Sequence, residues 1–146
     1  MLRGNFSAKI DDKGRLKIPT AFRSLIEKQY GVDLFVTSLT GESVRIYPMV
    51  VWFSIEEKLA KVPSTHPSRA KFFDHTNFFG QPAEFDKQGR VSIHARLREA
   101  ANMVGEVDVF GLYDYWQVWS HDRFLARLER EPYTDDDARA LAEFGI

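Results

Sequence analysis

The stretch Asp11-Asp12-Lys13-Gly14-Arg15-Leu16-Lys17-Ile18-Pro19 decides the fold, because the chain repeats it as Asp86-Lys87-Gln88-Gly89-Arg90-Val91-Ser92-Ile93-His94. The second copy lies 75 residues after the first and aligns with it without a gap as far as Arg23 and Arg98. Five of these thirteen positions are identical: Asp11/Asp86, Gly14/Gly89, Arg15/Arg90, Ile18/Ile93 and Arg23/Arg98. The same offset aligns residues 32–35 with residues 107–110. The chain is therefore a tandem repeat of a unit about half its length.

Each copy predicts the same order of elements, so the expected fold class is α+β with pseudo-two-fold symmetry. Alternating apolar and polar side chains on both sides of the Asp-x-x-Gly turn predict a hairpin over residues 5–18. A helix with Thr20 as its N-cap follows, then a strand pair and a second helix that begins at Pro48. We expect the first repeat to span residues 1–76, and the second repeat, with a C-terminal tail, to span residues 77–146.

The second repeat and the connection to it are predicted in the same way. A short helix over residues 68–76 leads to a strand over 78–85 and a helix over 95–103. Strands over 107–112 and 116–119 and a helix over 121–131 complete the unit. In the tail, which starts at Pro132, Thr134 precedes three aspartates, the pattern of an N-cap and the first turn of a marginal final helix. A disordered tail is the equal alternative.

The composition places the protein among soluble intracellular proteins. The chain has 146 residues, no cysteine and twenty aromatic residues, which excludes a disulfide framework and supplies a packed core. No apolar run approaches the ~20 residues of a membrane span. The N-terminus lacks the apolar stretch of a signal peptide. We expect a cytoplasmic protein.

The two halves differ in charge, although the whole chain has a net charge of −1. Residues 1–75 contain 12 Lys and Arg against 8 Asp and Glu, whereas residues 76–146 contain 8 against 13. A basic surface attracts polyanions such as nucleic acid. If either copy contacts an anion, the charge therefore favours the first.

No pattern in the sequence predicts catalysis, a cofactor or a metal site. Gly-rich phosphate loops and nucleophile elbows are absent. The four histidines have none of the paired spacings of metal ligands, and are expected to be surface or capping residues. Adjacent carboxylates such as Asp11-Asp12 point to different faces of a strand, which does not suit acid–base chemistry.

The repeated motif has two interpretations. In the structural one, the aspartate caps the loop, the glycine permits its backbone, and the arginine pairs with an acidic group of its own or the other copy. We favour it for Asp86, Gly89 and Arg90, which lie in the acidic half, and it also applies to Asp11. In the other, the arginine contacts DNA bases and nearby lysines contact phosphates. Both stay open in the first copy, where the candidate DNA contacts are Arg3, Lys9, Lys13, Gly14, Arg15 and Lys17.

Two copies of Asp-x-x-Gly-Arg, each followed by a helix, together with the start Met1-Leu2-Arg3-Gly4, resemble the bacterial MraZ family over essentially the whole chain. This family is a tandem-repeat relative of the AbrB-type swapped-hairpin DNA-binding proteins. The resemblance implies a β-barrel-like core with flanking helices, assembled into a ring-shaped homo-oligomer. It also implies binding to short G-rich direct repeats in double-stranded DNA, upstream of a division and cell-wall gene cluster. The chain departs from the pattern at His94, which stands where the first copy has Pro19.

The sequence therefore supports two functions of different classes. The first is a sequence-specific transcriptional regulator at the nucleoid, whose ring gains affinity by engaging several DNA sites at once. The alternative is an oligomeric interaction or antitoxin-like protein without specific DNA binding, whose basic face contacts an acidic partner. The charge of the first half favours the regulator.

Overall fold

The computed structural model describes all residues from 1 to 146 and contains eight strands and six helices. The strands are β1 Asn5–Lys9, β2 Arg15–Lys17, β3 Asp33–Thr37, β4 Val44–Pro48, β5 Gln81–Glu84, β6 Arg90–Ser92, β7 Glu106–Gly111 and β8 Trp116–Ser120. The helices are α1 Thr20–Tyr30, α2 Met49–Ala60, α3 Pro67–Phe78, α4 Ala95–Ala100, α5 His121–Arg130 and α6 Asp135–Ala142. The fold is α+β, as the sequence predicts.

The main sheet has six antiparallel strands in the order β1-β7-β8-β4-β3-β5. The first strand of each half, β1 or β5, pairs with a strand of the other half. β1 pairs with β7, with Phe6 opposite Val109, and β5 pairs with β3, with Ala83 opposite Leu34. Two strand pairs therefore join one half to the other at the outer edges, and β4 and β8 join them again at the centre.

A separate two-stranded sheet also joins the halves, because β2 pairs with β6. Its central pair is Leu16 opposite Val91, and both side chains are fully buried. Ile18 and Ile93 follow them into the same core. This core of 17 buried residues draws members from both halves, so neither half has a hydrophobic core of its own.

Most predicted elements are present, and the differences have local causes. The predicted hairpin over residues 5–18 opens after the single bridge between Ile10 and Leu16, because each of its strands pairs with the other half. Helix α1 begins at Thr20 and has Pro19 as its N-cap, with no side-chain cap bond, so the prediction of Thr20 as the cap is wrong. Proline supplies the extended backbone that precedes the helix, with φ −55° and ψ 140°.

Around the second repeat, two predicted boundaries also move. Helix α3 continues through Phe78, so the strand predicted over residues 78–85 is shorter and covers only Gln81–Glu84. Helix α4 ends at Ala100, before the predicted residue 103. The cap predicted at Thr134 is confirmed. Its hydroxyl accepts from the amide of Asp137, whose carboxylate accepts from the amide of Thr134.

None of the six helices has the length and the apolar composition that crossing a lipid bilayer would require.

The start of α5 is tied to the main sheet by one ion pair. Nδ1 of His121 lies 2.7 Å from Oδ2 of Asp108 on β7. This hydrogen bond raises the pKa of His121 above its ordinary value, and the nearby charges of Asp108 and Glu106 act in the same direction. The folded protein therefore holds the imidazole proton more tightly than the unfolded chain does.

We expect the contribution of this pair to the stability of the protein to decrease as pH rises through the range where His121 titrates. Because the folded pKa is raised, the contribution is complete below the ordinary pKa of about 6.5 and is lost as pH rises through the folded pKa. Thermal unfolding of wild type and His121→Ala at pH 5.5 and pH 8.5 measures it. The melting temperature of the wild type should exceed that of the variant by more at pH 5.5 than at pH 8.5. An equal difference at the two pH values would contradict a stabilising pair between His121 and Asp108.

Candidate nucleic-acid interface

The Asp-x-x-Gly-Arg loop of the first half is organised around the carboxylate of Asp11. One oxygen, Oδ1, accepts hydrogen bonds from the backbone amides of Arg15 at 2.8 Å and Lys13 at 3.0 Å. The amide of Gly14 donates to the carbonyl of Asp11, at 3.0 Å. Gly14 has a φ of 79°, a left-handed conformation that favours glycine. The residue types of the motif are thus those that close the turn.

The second carboxylate oxygen holds the arginine. Nε of Arg15 donates to Oδ2 of Asp11 at 2.8 Å. The hydrogen bond from the backbone amide of Arg15 is the largest cause that lowers the pKa of Asp11, and the side-chain bond lowers it further. The carboxylate is therefore ionised at neutral pH and fixes one edge of the guanidinium. No protein hydrogen bond engages the two terminal nitrogens of Arg15.

The second half repeats this arrangement almost atom for atom. Oδ1 of Asp86 accepts from the amide of Arg90 at 2.9 Å, and Oδ2 accepts from Nε of Arg90 at 2.8 Å. Gly89 has a φ of 74°, and the pKa of Asp86 is lowered chiefly by the backbone amide of Arg90. The side chains of Arg15 and Arg90 are similarly exposed, at 29% and 25%. The two arginines differ in one contact: Nη1 of Arg90 also lies 4.0 Å from Oδ2 of Asp11, so Arg90 pairs with the aspartate of the other copy, whereas Arg15 pairs only with its own.

The two loops lie side by side. The amide of Ile18 donates to the carbonyl of Gly89 at 3.0 Å, and the amide of Ile93 donates to the carbonyl of Gly14 at 2.9 Å. The ammonium group of Lys17 contacts the carbonyl of Gln88 in the opposite loop. These bonds combine the two motifs into one surface.

Strands β2 and β6 give that surface two faces, and we call the pair the arginine ribbon (residues 15–17 and 90–92). Leu16 and Val91 point into the core. Because successive side chains of a strand alternate, the outer face carries the neighbouring residues Arg15, Lys17, Arg90 and Ser92. Arg15 is opposite Ser92, which makes Arg90 its diagonal neighbour, at about 7–8 Å between Cα atoms. The outer face is a two-stranded ribbon with three cationic side chains.

The structure brings together most of the candidate DNA contacts, but not all of them. Lys13, Gly14, Arg15 and Lys17 lie in or beside the arginine ribbon, and Lys9 ends the strand that leads to it. Arg3 lies at the other end of β1, where its backbone approaches Gly111. Eight residues of extended chain place it roughly 25 Å from Asp11. Arg3 is therefore outside the surface that the loops form.

Further cationic side chains surround the ribbon. Lys87 belongs to the second loop, and Arg98 and Arg23 pack against Gly14 and Gly89 respectively. The sequence contained a signal for these two arginines, since they are one of the five identical positions of the repeat. The net charge of the second half was a poor guide to the charge of its loop. Seven of the thirteen acidic residues of this half lie at or beyond Asp122, far from the loop in sequence.

The side chains contain no group of three or more His, Cys, Asp or Glu residues placed to hold a metal ion. The predicted capping role applies to His66, whose Nδ1 accepts from the amide of Ser68 at the start of α3. His94, which replaces proline, instead contacts the carbonyl of Phe79 through Nε2 at 2.6 Å and joins α4 to the end of α3.

Comparison with known proteins identifies one family. The family model described as "MraZ protein, putative antitoxin-like" matches residues 1–74 and 80–144. Proteins named transcriptional regulator MraZ from Acidobacterium capsulatum and Koribacter versatilis are each 44% identical to this chain, over the full length of both partners. A protein of the same name from Halothermothrix orenii is 33% identical, again over both full lengths. These names describe regulators, not enzymes.

The geometry of the loops makes a prediction about acid titration. The lowered pKa of Asp11 means that its stabilising contribution is present above the ordinary value near 3.9 and is lost as pH falls through the folded pKa. We expect Arg15→Ala to raise the pKa of Asp11 while leaving it below the ordinary value, because the larger cause is a backbone amide that alanine retains. NMR titration of the carboxyl carbons measures this, with Asp86 as the internal control. A titration of Asp11 that does not change in the variant would contradict the observed side-chain bond.

Proposed function

This chain belongs to the MraZ family, and on that premise we propose that it is a sequence-specific DNA-binding transcriptional regulator that contacts DNA through the arginine ribbon. The supporting observation is that Arg15, Lys17 and Arg90 share the outer face of one two-stranded ribbon, where Lys17 is exposed and the two arginines are partly exposed. The full-length similarity to proteins named transcriptional regulators supports the same class of function.

The ribbon suits the major groove of B-form DNA in both shape and chemistry. That groove admits a two-stranded β-ribbon, and its guanine edges present the O6 and N7 acceptors that arginine contacts as a bidentate donor. In both loops the aspartate binds Nε, and the terminal nitrogens of Arg15 and Arg90 make no hydrogen bond inside the protein. Nη1 of Arg90 has one longer contact, 4.0 Å to Oδ2 of Asp11. We propose that both arginines contact bases, which extends to Arg90 the role that charge alone favours only for Arg15.

The lysines around the ribbon are proposed to contact phosphates. Lys13 and Lys87 are exposed in the two loops, Lys17 lies on the outer face, and Lys9 precedes the first loop. Phosphate contacts fix position and supply affinity in a salt-dependent way, without selecting a sequence. A contact by Arg3 would fall outside the ribbon, because Arg3 precedes the opposite end of β1.

We further propose that the core is an AbrB-like swapped-hairpin barrel formed by repeats at residues 1–76 and 77–146. The support is the exchange of β1 and β5 between halves, together with the pairing of β2 with β6. The two separate matches of the family model, over residues 1–74 and 80–144, are consistent with this division.

The proposed target is a set of short G-rich direct repeats upstream of a division and cell-wall gene cluster, bound by a ring of identical subunits in the cytoplasm at the nucleoid. The family resemblance supports this target, and guanine is the base that arginine contacts best. A single ribbon is a small contact. A ring that presents several ribbons to tandem sites gains affinity through effective concentration.

Exposed apolar surface supports self-association. All residues from 125 to 146 are exposed, and they include Phe144 and Ile146 at 77% and 82%. A cleft of about 330 Å³ lies elsewhere on the chain, between α2 and the β7–β8 turn. Seven of its ten lining residues are apolar or aromatic, among them Tyr47, Val50 and Tyr113. Surfaces of this kind on a soluble protein commonly mark contacts with another chain.

The same exposed tail is the observation that favours the alternative, an oligomeric or antitoxin-like protein without specific DNA binding. That alternative predicts assembly with neither a preferred DNA sequence nor a steep dependence of binding on salt. The regulator hypothesis predicts assembly, a preferred DNA sequence and a steep salt dependence. DNA-binding measurements at several salt concentrations therefore distinguish the two hypotheses.

We expect Arg15→Ala and Arg90→Ala each to reduce specific DNA affinity while leaving oligomer size unchanged. One bidentate arginine–guanine contact is worth roughly 1–3 kcal/mol, and every engaged subunit of a ring loses it. Mobility shifts with DNA from upstream of the protein's own gene, against a scrambled duplex, measure the effect. Arg96→Ala, on α4 with its guanidinium stacked on Phe78, is the control. If only Arg15→Ala reduces specific DNA affinity, Arg90 has a structural role. If the wild-type protein binds both duplexes with equal affinity, specific binding is refuted.

We expect the wild-type protein to scatter light with several times the monomer mass of 16.9 kDa. Removal of residues 132–146 should lower that mass, because it deletes the exposed apolar tail while leaving the buried core complete. Circular dichroism and thermal unfolding of the truncated chain control for folding. A wild-type monomer at micromolar concentration would refute the ring, whereas an unchanged oligomer after truncation would exclude the tail from the interface.

A further inference from the structure

Each Asp-x-x-Gly-Arg loop is covered by an arginine from the opposite half of the chain. The side chain of Arg98, on α4 of the second half, lies across Gly14 in the first loop. A Cβ atom at Gly14 would overlap its guanidinium and would lie 2.8 Å from its Cδ. Arg23, on α1 of the first half, lies across Gly89 in the same way, with Nη1 2.9 Å from the position of a Cβ. Glycine is therefore required in both loops by a close neighbour as well as by positive φ.

Arg98 is the more firmly held of the two. Its Nη1 donates to the carbonyl of Ile93 at 2.6 Å, and the amide of Ile93 donates to the carbonyl of Gly14. Arg98 thus connects the end of β6 to the loop that it covers. Arg23 has no equivalent bond: its Nε is buried without a hydrogen-bond partner, and the nearest carboxylate, that of Glu27, is 3.8 Å away.

We propose that Arg98 is a positioning residue for base contact by Arg15, and that Arg23 acts in the same way, more weakly, for Arg90. The inference rests on the proposed function, because it assigns these residues a part in DNA recognition. Base contact by one half of the chain would then depend on a side chain from the other half.

The physical reason is the location of the covered glycine. Gly14 lies between Asp11, which holds the guanidinium of Arg15, and Arg15 itself. Glycine has the greatest backbone freedom of any residue, so the loop keeps one conformation only while its neighbours restrict it. Removing the Arg98 side chain deletes its packing contacts and uncovers the loop on that side. A site that must direct two donors at one base edge depends on such support.

The charge of Arg98 gives it a competing role as a phosphate contact, and the two roles predict different outcomes for lysine. A phosphate contact needs a cation, which lysine supplies. Support of the loop needs a planar group that lies over a glycine and donates to the carbonyl of Ile93, which the flexible lysine side chain does not reproduce. Arg98→Ala and Arg98→Lys therefore separate the roles.

The experiment compares wild type with Arg98→Ala, Arg98→Lys and Arg23→Ala. Affinity for the DNA upstream of the protein's own gene and for a scrambled duplex is measured at several salt concentrations. We expect both Arg98 variants to reduce the ratio of specific to non-specific affinity by about tenfold, with an unchanged salt slope on the scrambled duplex. Arg23→Ala should reduce the ratio less. Arg96→Ala is the matched control, since Arg96 is on the same helix but stacks on Phe78, away from the loops.

Two results would overturn the inference. Wild-type discrimination in Arg98→Lys, with a salt slope lowered by about one in Arg98→Ala, would identify a phosphate contact. An unchanged affinity ratio in both Arg98 variants would identify a purely structural side chain. Melting temperatures, measured alongside, ensure that the proteins are folded during the assay.

A second measurement does not depend on DNA binding. Amide hydrogen exchange at Gly14 and Arg15 should be faster in Arg98→Ala than in wild type, while exchange in the Asp86–Arg90 loop stays the same. Unchanged exchange in the first loop would refute the positioning role even if DNA affinity fell. If wild type shows no preference between the two duplexes, the proposed function fails, and faster exchange would then show that Arg98 supports the loop without a role in recognition.

Discussion

The antiparallel pairing of β2 with β6 is the interaction on which the rest of the molecule depends. It brings Leu16 against Val91 in the core and leaves the arginines on the outside. It also sets the two loops beside one another, where backbone bonds from Ile18 to Gly89 and from Ile93 to Gly14 join them. Buried apolar side chains and backbone hydrogen bonds thus fix the position of the exposed charged groups. Groups whose positions are fixed in this way lose less entropy on binding than groups on a flexible segment.

Much of this architecture could be predicted from the sequence, because the repeat and the turn chemistry are local signals. Asp11, Gly14 and Arg15 determine their own loop, so the same residues at 86, 89 and 90 determine a matching one. Which strands pair was not predictable from the residues alone, because alternation along β1 or β5 shows which face is apolar and not which partner lies alongside. The hairpin predicted over residues 5–18 opens for that reason. Two helix ends also differ from the prediction by a few residues, since α3 continues through Phe78 and α4 ends at Ala100.

The charge of each half was a weaker guide to the candidate site than the motif. Electrostatic attraction to a polyanion depends on the charges near the contact. At ordinary salt, solvent ions screen the interaction between exposed charges that are more than about 10 Å apart. Many of the acidic residues of the second half belong to α5, α6 and the tail, whereas Arg90 is part of the ribbon and Lys87 and Arg98 lie beside it. The pairing of Asp86 with Arg90 matches that of Asp11 with Arg15 even though the net charges of the halves differ. The two pairs depart from symmetry in the additional 4.0 Å contact of Arg90 with Asp11.

The exchange of strands between halves has a consequence for how the chain reaches its native state. Were the halves separate polypeptides, this core would form only by encounter of two molecules, at a rate set by their concentration. The connection through α3 keeps the halves within reach of one another, so assembly of the core becomes a unimolecular step. The same connection guarantees one copy of each half in every core. The two halves can then differ at corresponding positions, as Pro19 and His94 do, which a symmetric pair of identical chains does not permit.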